Sequence, residues 1–234
     1  MPAKLSTLDR RQLLARGAGL AGLAAAMTLA RPAFALTPEE ELVEDCRLTV
    51  LSLLSDPDFK WLDDYIKKAR GVLIFPELVK GGFIVGGEGG TGVCMGRLAD
   101  GSWSYPCFFY LGAASIGLQI GGQVSEVVLT VMNDDALRRL LKNDIKLGAD
   151  ASMAVGPIGR TAEAGTAGAF ENDIYTFGRA VGLFGGISLE GAILDDQPER
   201  NRYYYGRDLT SVQIVHEGVA SNAQAEPLRN ALPR

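Results

Sequence analysis

A glycine-rich stretch, GGFIVGGEGGTGVCMG from Gly81 to Gly96, constrains the fold of this chain more than any other feature. Within it, Gly87, Gly89 and Gly92 reproduce the G-x-G-x-x-G pattern of a dinucleotide-binding loop. Such a loop needs a helix directly after the glycines and an acidic residue about 20 positions further on. Here a strand, an Asp-Gly turn and another strand follow, and residues 101–125 contain no Asp or Glu. The glycines therefore predict bent, closely packed strands and no bound nucleotide.

The sequence around this stretch has the pattern of many short strands separated by glycine turns. We expect strands at residues 72–75, 82–87, 91–98, 102–110, 115–120, 126–131, 151–155, 162–170, 174–177 and 184–194. Helices are expected at Asp134–Leu141, where Asn133 is the N-cap, in the segment ERNRYYYG, and near Leu209. This predicts an α+β fold, in which N-terminal helices pack on a glycine-rich, mainly antiparallel β core of many short strands.

Two helices are predicted before the first strand. Thr37-Pro38-Glu39-Glu40 combines an N-cap, a proline at N1 and a glutamate at N3, which is a capping box. The first helix should end near Ser55, and Asp56-Pro57 repeats the start signal for a second.

Residues 1–35 have the organisation of a twin-arginine signal peptide. Arg10-Arg11 is followed by an apolar run from Gly17 to Ala30 and by the small-residue cleavage motif Ala33-Phe34-Ala35. An uncleaved membrane anchor is the alternative, because the run is nearly long enough to span a bilayer. We expect a bacterial protein that is exported in folded form, with a single domain at 36–234 and a polar tail from about residue 217.

Charge argues against nucleic acid as a partner. Residues 1–35 hold five of the 23 basic residues and one of the 28 acidic ones, so the remainder carries a net charge of −9. A phosphate backbone requires a basic face. Any anionic partner would need a local basic patch instead.

Two of the three cysteines could form a disulfide. If Asp100-Gly101 is a two-residue hairpin turn, Cys94 and Cys107 face each other directly. That spacing accepts a disulfide, and an oxidising compartment permits one. Two reduced core cysteines are the alternative, and Cys46 is predicted to be a core residue of the first helix.

Catalytic and metal-binding patterns are weak in this sequence. His216 is the single histidine, and there is no C-x-x-C motif, so we predict neither a metal site nor a cofactor. Glu88 and Glu190, each in a glycine-rich strand, are the acids that a hydrolase would use, but a solvent-facing position is preferred for both.

The densest basic region of this acidic chain surrounds the second helix. Trp61 and Tyr65 flank the apolar stripe of that helix, and both are side chains that favour a membrane interface. Together with the cations they predict a surface for anionic lipid headgroups, made of Lys60, Trp61, Tyr65, Lys67, Lys68, Arg70 and Lys80. The alternative is an ordinary solvated helix face beside a core stripe.

Three segments resemble the SYLF domain family, which occurs in bacteria and in eukaryotic membrane-trafficking and actin-associated proteins. They are KKARGVLIFPELVKGGFIVGGEGGTGVCM, GSWSYPCFFYLGAASIGLQIGGQVSEVVLTVMN and ERNRYYYG, at residues 67–95, 101–133 and 199–206. The resemblance implies a lipid-binding module, with phosphoinositides as ligands in eukaryotic members and actin binding in some fungal ones. It also implies that membrane association involves the N-terminal helices, here residues 37–70.

Two departures from that family shape the expectation for this chain. A bacterial envelope offers neither actin nor ordinary phosphoinositides, and the first helix begins with the acids of EEELVED. We therefore predict a non-enzymatic periplasmic protein, peripherally attached to the membrane, which binds anionic phospholipid or phosphoinositide-like headgroups. A periplasmic protein-interaction scaffold with an envelope protein as partner is the alternative, and a hydrolase is a third.

Overall fold

The computed structural model describes residues 36–142, 145–157, 171–182 and 189–234. The predicted signal peptide, the strand predicted at 162–170 and the first five residues of the one predicted at 184–194 lie outside the described residues. The described part is an α+β fold with a mostly antiparallel sheet, as predicted.

The two N-terminal helices form where the local signals predict them. Helix α1 spans Pro38–Ser55, and the capping box at its start is complete. Asp56 then caps a 3₁₀ turn at Pro57–Phe59, and helix α2 spans Leu62–Lys68. The second helix therefore begins later than predicted, because the Asp56-Pro57 signal starts this separate turn.

Two long strands replace the six short ones predicted between residues 72 and 131. Strand β1 spans Gly71–Gly96, and strand β2 spans Cys107–Val131 in antiparallel register with it. Register shifts at Phe75/Leu78 and Gly82/Ile84 bend the ribbon without ending it. Pro76 lies in the first shift, where a residue leaves the hydrogen-bond ladder and a missing N–H is tolerated.

Strand β1 folds back so that its two halves are in contact. A Cβ on Gly90 would lie 2.1 Å from the carbonyl oxygen of Glu77, and one on Gly92 would lie 2.2 Å from that of Ile74. A straight strand would separate residues 77 and 90 by about 43 Å at ~3.3 Å per residue. The prediction that these glycines serve close strand packing is confirmed. The phosphate-loop pattern lies inside a strand, where no helix N-terminus follows.

The remaining strands complete a six-stranded sheet in which β1 pairs with β2 and the other strands follow the order β3-β6-β2-β5-β4. They are β3 (Ile145–Lys146), β4 (Met153–Val155), β5 (Ile174–Gly182) and β6 (Ile193–Asp196). The later helices are α3 (Asp134–Leu140), α4 (Pro198–Tyr205), α5 (Ser211–Val215) and α6 (Glu226–Ala231). Asn133 caps α3 as predicted, since its side chain accepts a hydrogen bond from the Ala136 N–H.

Two apolar clusters cover opposite faces of the sheet, as the alternation of side chains along a strand requires. Val72 and Ile74 of β1 belong to the cluster under α1, α2 and α6, and Leu73 and Phe75 to the cluster beside α3 and α5. Cys46 is fully buried in the first cluster, so its predicted core role is confirmed.

The C-terminal segment, where a polar tail is predicted from about residue 217, packs against the rest of the fold. A 3₁₀ turn at Ala223–Ala225 leads into α6, where Leu228 is buried against the α1 cluster. The indole N–H of Trp103 donates to the Pro233 carbonyl at 3.0 Å, which fixes the end of the chain to the β1–β2 connection. The segment is short and has few apolar residues, so its composition does not predict that it packs on the apolar cluster. No described helix combines the length and the apolarity needed to cross a membrane.

Candidate functional site

The structure places most of the predicted cationic residues around helix α2. Lys60 follows the 3₁₀ turn and is exposed, with its Nζ 5.1 Å from the ring centre of Trp61. Lys67 and Lys68 are the last residues of α2, and Arg70 precedes β1; all three are exposed. We call the five residues Lys60, Trp61, Lys67, Lys68 and Arg70 the α2 surface.

Neighbouring acids partly neutralise the α2 surface. Lys67 Nζ lies 2.6 Å from Asp63 Oδ2 one helical turn away, and Arg70 Nε lies 3.6 Å from Asp134 Oδ2. The hydrogen bond to Asp63 raises the pKa of Lys67, so this side chain stays charged. Exposed ion pairs of this kind contribute little to stability, because solvent screens their attraction. A phosphate group can therefore compete with either carboxylate for its cation.

Tyr65, predicted as a second membrane anchor, packs against the sheet. Its ring meets those of Tyr175 and Phe177 edge to face, with centroids 4.9 and 5.1 Å away. Burial also raises the pKa of its hydroxyl. These contacts commit the ring to the interior side of α2.

Lys80 is directed at a buried carboxylate. Its Nζ lies 3.7 Å from Oε2 of Glu88, whose side chain is only 3% exposed. Desolvation raises the pKa of Glu88, and the charge of Lys80 opposes that rise. Glu88 Oε1 is buried and has no hydrogen-bond partner among the described residues. Lys80 therefore balances an interior charge, unlike the cations of the α2 surface.

The hydrolase hypothesis requires Glu88 and Glu190 to converge on one pocket. Glu88 lies in β1 and pairs with Lys80, whereas Glu190 is exposed and borders the turn at Gly148. The two acids contact different elements of the fold. No described group of His, Cys, Asp and Glu side chains could hold a metal ion.

Arg97 is a residue that the sequence reasoning missed. Its guanidinium donates to the carbonyls of Ile66 and Lys67 at the end of α2, at 3.0 and 3.3 Å, and it lies 4.0 Å from the ring centre of Trp103. Burial, and secondarily the charge of Arg70, lowers its pKa. Arg97 therefore supports the α2 surface from below, yet it is about 30 residues away in sequence, beyond the reach of helical periodicity.

Cys94 and Cys107 occupy paired positions in the β1–β2 ladder, as predicted from the turn. Both are buried free thiols in the structure, which corresponds to the reduced alternative. The Cys107 sulfur accepts a hydrogen bond from Asn201 Nδ2 at 3.3 Å, which occupies it with another partner.

A second surface feature, which the sequence did not indicate, is an open groove beside α1 with a volume of about 1080 Å³. One wall is the face of α1 from Leu42 to Ser55, and the other is β1 at Pro76–Val79 and Gly89–Thr91. Val124, Glu126 and Arg179 complete the lining. We call this feature the α1 groove.

Arg179 joins the walls of the α1 groove at one end. It contacts Asp56 at 3.2 Å, and Glu126 and Ser52 at 2.7 Å each. Since it serves two carboxylates, its charge is more than neutralised locally. The groove therefore combines an apolar lining with an acidic border.

Comparison with known proteins gives a consistent family match. Residues 112–234, just over half of the chain, match the Ysc84 family model, which is described as "Las17-binding protein actin regulator". SH3 domain-containing YSC84-like protein 1 of Rattus norvegicus is 36% identical over 168 residues, which cover 71% of this chain and 49% of that protein.

Two further relatives agree with this match. The protein of the same name from Xenopus laevis is 36% identical over 186 residues, covering 79% of this chain and 55% of its own length. Protein YSC84 of Saccharomyces cerevisiae is 33% identical over 170 residues, covering 71% and 36%. The chain thus spans about half or less of the length of these relatives.

Proposed function

The chain belongs to the Ysc84 (SYLF) family, and we propose that it is a non-enzymatic protein of the bacterial envelope that binds anionic phospholipid through the α2 surface. The observation that carries this proposal is the exposure of Lys60, Lys67, Lys68 and Arg70 around one short helix. In a chain whose folded part is strongly acidic, such a local set of cations is where a phosphate headgroup would be attracted.

The mechanism is peripheral contact with a membrane surface. Each lysine or arginine near an anionic leaflet contributes about 1 kcal/mol of attraction. Trp61 is half-buried beside Lys60, so an indole edge is available at the same surface. Indole rings favour the boundary between headgroups and acyl chains. Tyr65 and Lys80 take no direct part in this mechanism, because their side chains are committed to Tyr175, Phe177 and Glu88.

Location and partner follow from the same proposal. The twin-arginine pattern at residues 1–35 supports export, which would put the α2 surface in contact with envelope membranes. The description of the family model names Las17 binding and actin regulation, which refer to other members of the family. For an exported bacterial chain, phosphatidylglycerol or cardiolipin is the anionic ligand that we propose.

Co-sedimentation with vesicles tests the proposal. The chain from Leu36 to Arg234 should sediment with phosphatidylglycerol or cardiolipin vesicles at low salt, release at high salt, and ignore phosphatidylcholine vesicles. Reversing two charges with Lys67→Glu and Lys68→Glu should weaken this binding about tenfold or more, since it changes the local charge by four units.

The matched control reverses Lys142 and Lys146, which are exposed and lie after α3 and in β3. Lys142→Glu with Lys146→Glu makes the same change in net charge and should alter vesicle binding less than twofold. Equal losses from both pairs would mean that net charge alone governs binding. Absence of binding to every vesicle would remove the lipid function.

A protein-interaction scaffold is the second candidate function. The α1 groove favours it, because an apolar channel bordered by acids suits a peptide segment better than an anionic headgroup.

A further inference from the structure

The α1 groove leaves large apolar side chains in contact with solvent. Ten such side chains are exposed among the described residues, and four of them, Leu48, Leu51, Val79 and Val124, line this groove at 41–50% exposure. Exposed apolar residues scattered singly are ordinary, but a contiguous group in a concave site marks an interaction surface. The four side chains come from α1, β1 and β2, so the group is assembled only by the fold.

Acids border this apolar lining on both walls. Asp45 on α1 and Glu77 on β1 are exposed and have no ion-pair partner within the described ranges. Glu126 is occupied by Arg179, which is the only cation among the described lining residues and also contacts Asp56. The groove therefore presents net negative charge to both sides of any occupant. This charge disfavours anionic lipid and acidic peptides and favours a cationic segment.

Length and wall type favour a helix as the occupant. The face of α1 from Leu42 to Ser55 covers 13 residue steps, or about 20 Å at ~1.5 Å per residue. Leu48 and Leu51 are spaced i, i+3 on that face and form a ridge that a second helix can pack against. A partner helix of about four turns, with apolar residues inward and lysines or arginines on both flanks, matches the lining.

We propose that the α1 groove binds a cationic amphipathic helix of a partner protein. Its apolar stripe packs on Leu48, Leu51, Val79 and Val124, and its flanking cations meet Asp45 and Glu77. This site is separate from the α2 surface, so it can fail or succeed independently of lipid binding. It gives the scaffold function a specific place and a specific chemistry of partner.

Fluorescence anisotropy with designed peptides tests this proposal on the full chain. The probe is a labelled 14-residue helical peptide with leucines on one stripe and lysines on both flanks. Two further peptides serve as comparisons, one with each lysine replaced by glutamate and one with the same composition in scrambled order. We expect saturable micromolar binding of the first, and at least tenfold weaker binding of the other two.

Two variants locate the site. Asp45→Lys with Glu77→Lys should weaken binding of the lysine peptide at least tenfold and strengthen binding of the glutamate peptide. Leu48→Ser with Leu51→Ser should weaken the lysine peptide about tenfold without introducing charge. All four residues are exposed, and circular dichroism with thermal unfolding of each variant checks that the fold is kept.

Single-residue controls use positions outside the groove. Glu217→Lys places a lysine at another exposed acid, and Ile193→Ser removes an apolar side chain with the same 50% exposure as Leu48. Both should bind the lysine peptide within twofold of the wild type.

Three results would overturn the proposal. The first is an absence of saturable binding, and the second is equal loss in groove variants and controls, which would indicate nonspecific attraction to an acidic protein. The third is a groove that serves another occupant. Loss of vesicle binding in Leu48→Ser with Leu51→Ser would assign it to lipid, and a dimer dissociated by that variant would assign it to a second copy.

Discussion

The α2 surface and the α1 groove belong to consecutive helices, yet their side chains have different surroundings. On the α2 surface the charged groups meet opposite charges nearby, as Lys67 does with Asp63. In the α1 groove Asp45 and Glu77 border an apolar lining, and Arg179, the one cation in the described part of that lining, is already shared between two carboxylates. The α2 surface is therefore partly neutralised, whereas the groove keeps net negative charge and apolar side chains that are exposed to solvent.

This difference shows that residue type alone does not identify a binding surface. A cation with a nearby carboxylate offers a partner only the difference between two interactions, which is small at an exposed site. An apolar side chain left in water offers the full gain of its burial, about 25 cal/mol per Å². Binding of a partner in the groove can therefore contribute more free energy than binding to the exposed cations of the α2 surface.

The largest expected effect on stability comes from disturbing the packing of β1, which forms one wall of the groove. Gly90→Ala places a Cβ about 2 Å from the Glu77 carbonyl oxygen, so the halves of β1 must separate. We expect a loss of about 3 kcal/mol in the free energy of unfolding, measured by urea denaturation. Gly81→Ala, where a Cβ meets nothing within 4 Å, is the matched control and should change stability little. Equal stability of the two variants would contradict the close approach within β1.

A smaller effect is expected at the ion pairs, where the pairs of Arg179 at the groove are compared with an exposed pair on α3. Arg179→Met leaves Asp56 and Glu126, with side chains 25% and 33% exposed, without their cation. We expect a loss of about 1–2 kcal/mol in unfolding free energy, which decreases at high salt. Arg138→Met, which breaks an exposed pair with Asp135, should cost about 0.5 kcal/mol or less. If both variants lost the same amount, the groove pair would be as weak as a surface pair.

The smallest effect on stability concerns the titration of Glu88, the buried carboxylate that faces Lys80. The folded-state pKa of Glu88 is raised above its ordinary value of 4.5, so its protonated form stabilises the fold. This contribution is fully present below pH 4.5 and is lost as pH rises through the folded-state pKa. Glu88→Gln removes the titration, so its stability relative to the wild type should increase as pH rises above 4.5. Urea midpoints measured from pH 4.5 to 8 test this, and a relative decrease over that range would contradict it.

The parts of the fold and of the two surfaces that the sequence predicts are those whose interacting residues lie close together in the chain. The capping box at Thr37 and the cations of α2 involve residues within one or two turns, so local patterns identified them. The contact of Gly90 with Glu77 and the approach of Val124 and Arg179 to α1 join distant positions. A Gly-rich pattern predicts that strands bend, but the direction of the bend depends on register shifts that the sequence does not mark.

The C-terminal region also shows a limit of prediction from local sequence patterns. Leu228 and Leu232 are buried on the α1 cluster, although the segment around them is short and largely polar. Two or three apolar residues are enough to hold a segment in place when they pack on an apolar surface that the rest of the fold provides. Hydrophobic periodicity needs longer windows and therefore missed this packing.

The fold-back of β1 also bears on solubility. Within the described sheet β1 pairs with β2 alone, so its other side is an edge of 26 residues. A straight edge of that length would be a template for strand addition and aggregation. Since the strand bends onto itself and carries Pro76 at a register shift, the described residues of β1 form no long flat segment that another chain could extend. Substitutions at Gly90 or Gly92 that straighten β1 would therefore cause self-association of the protein as well as loss of stability.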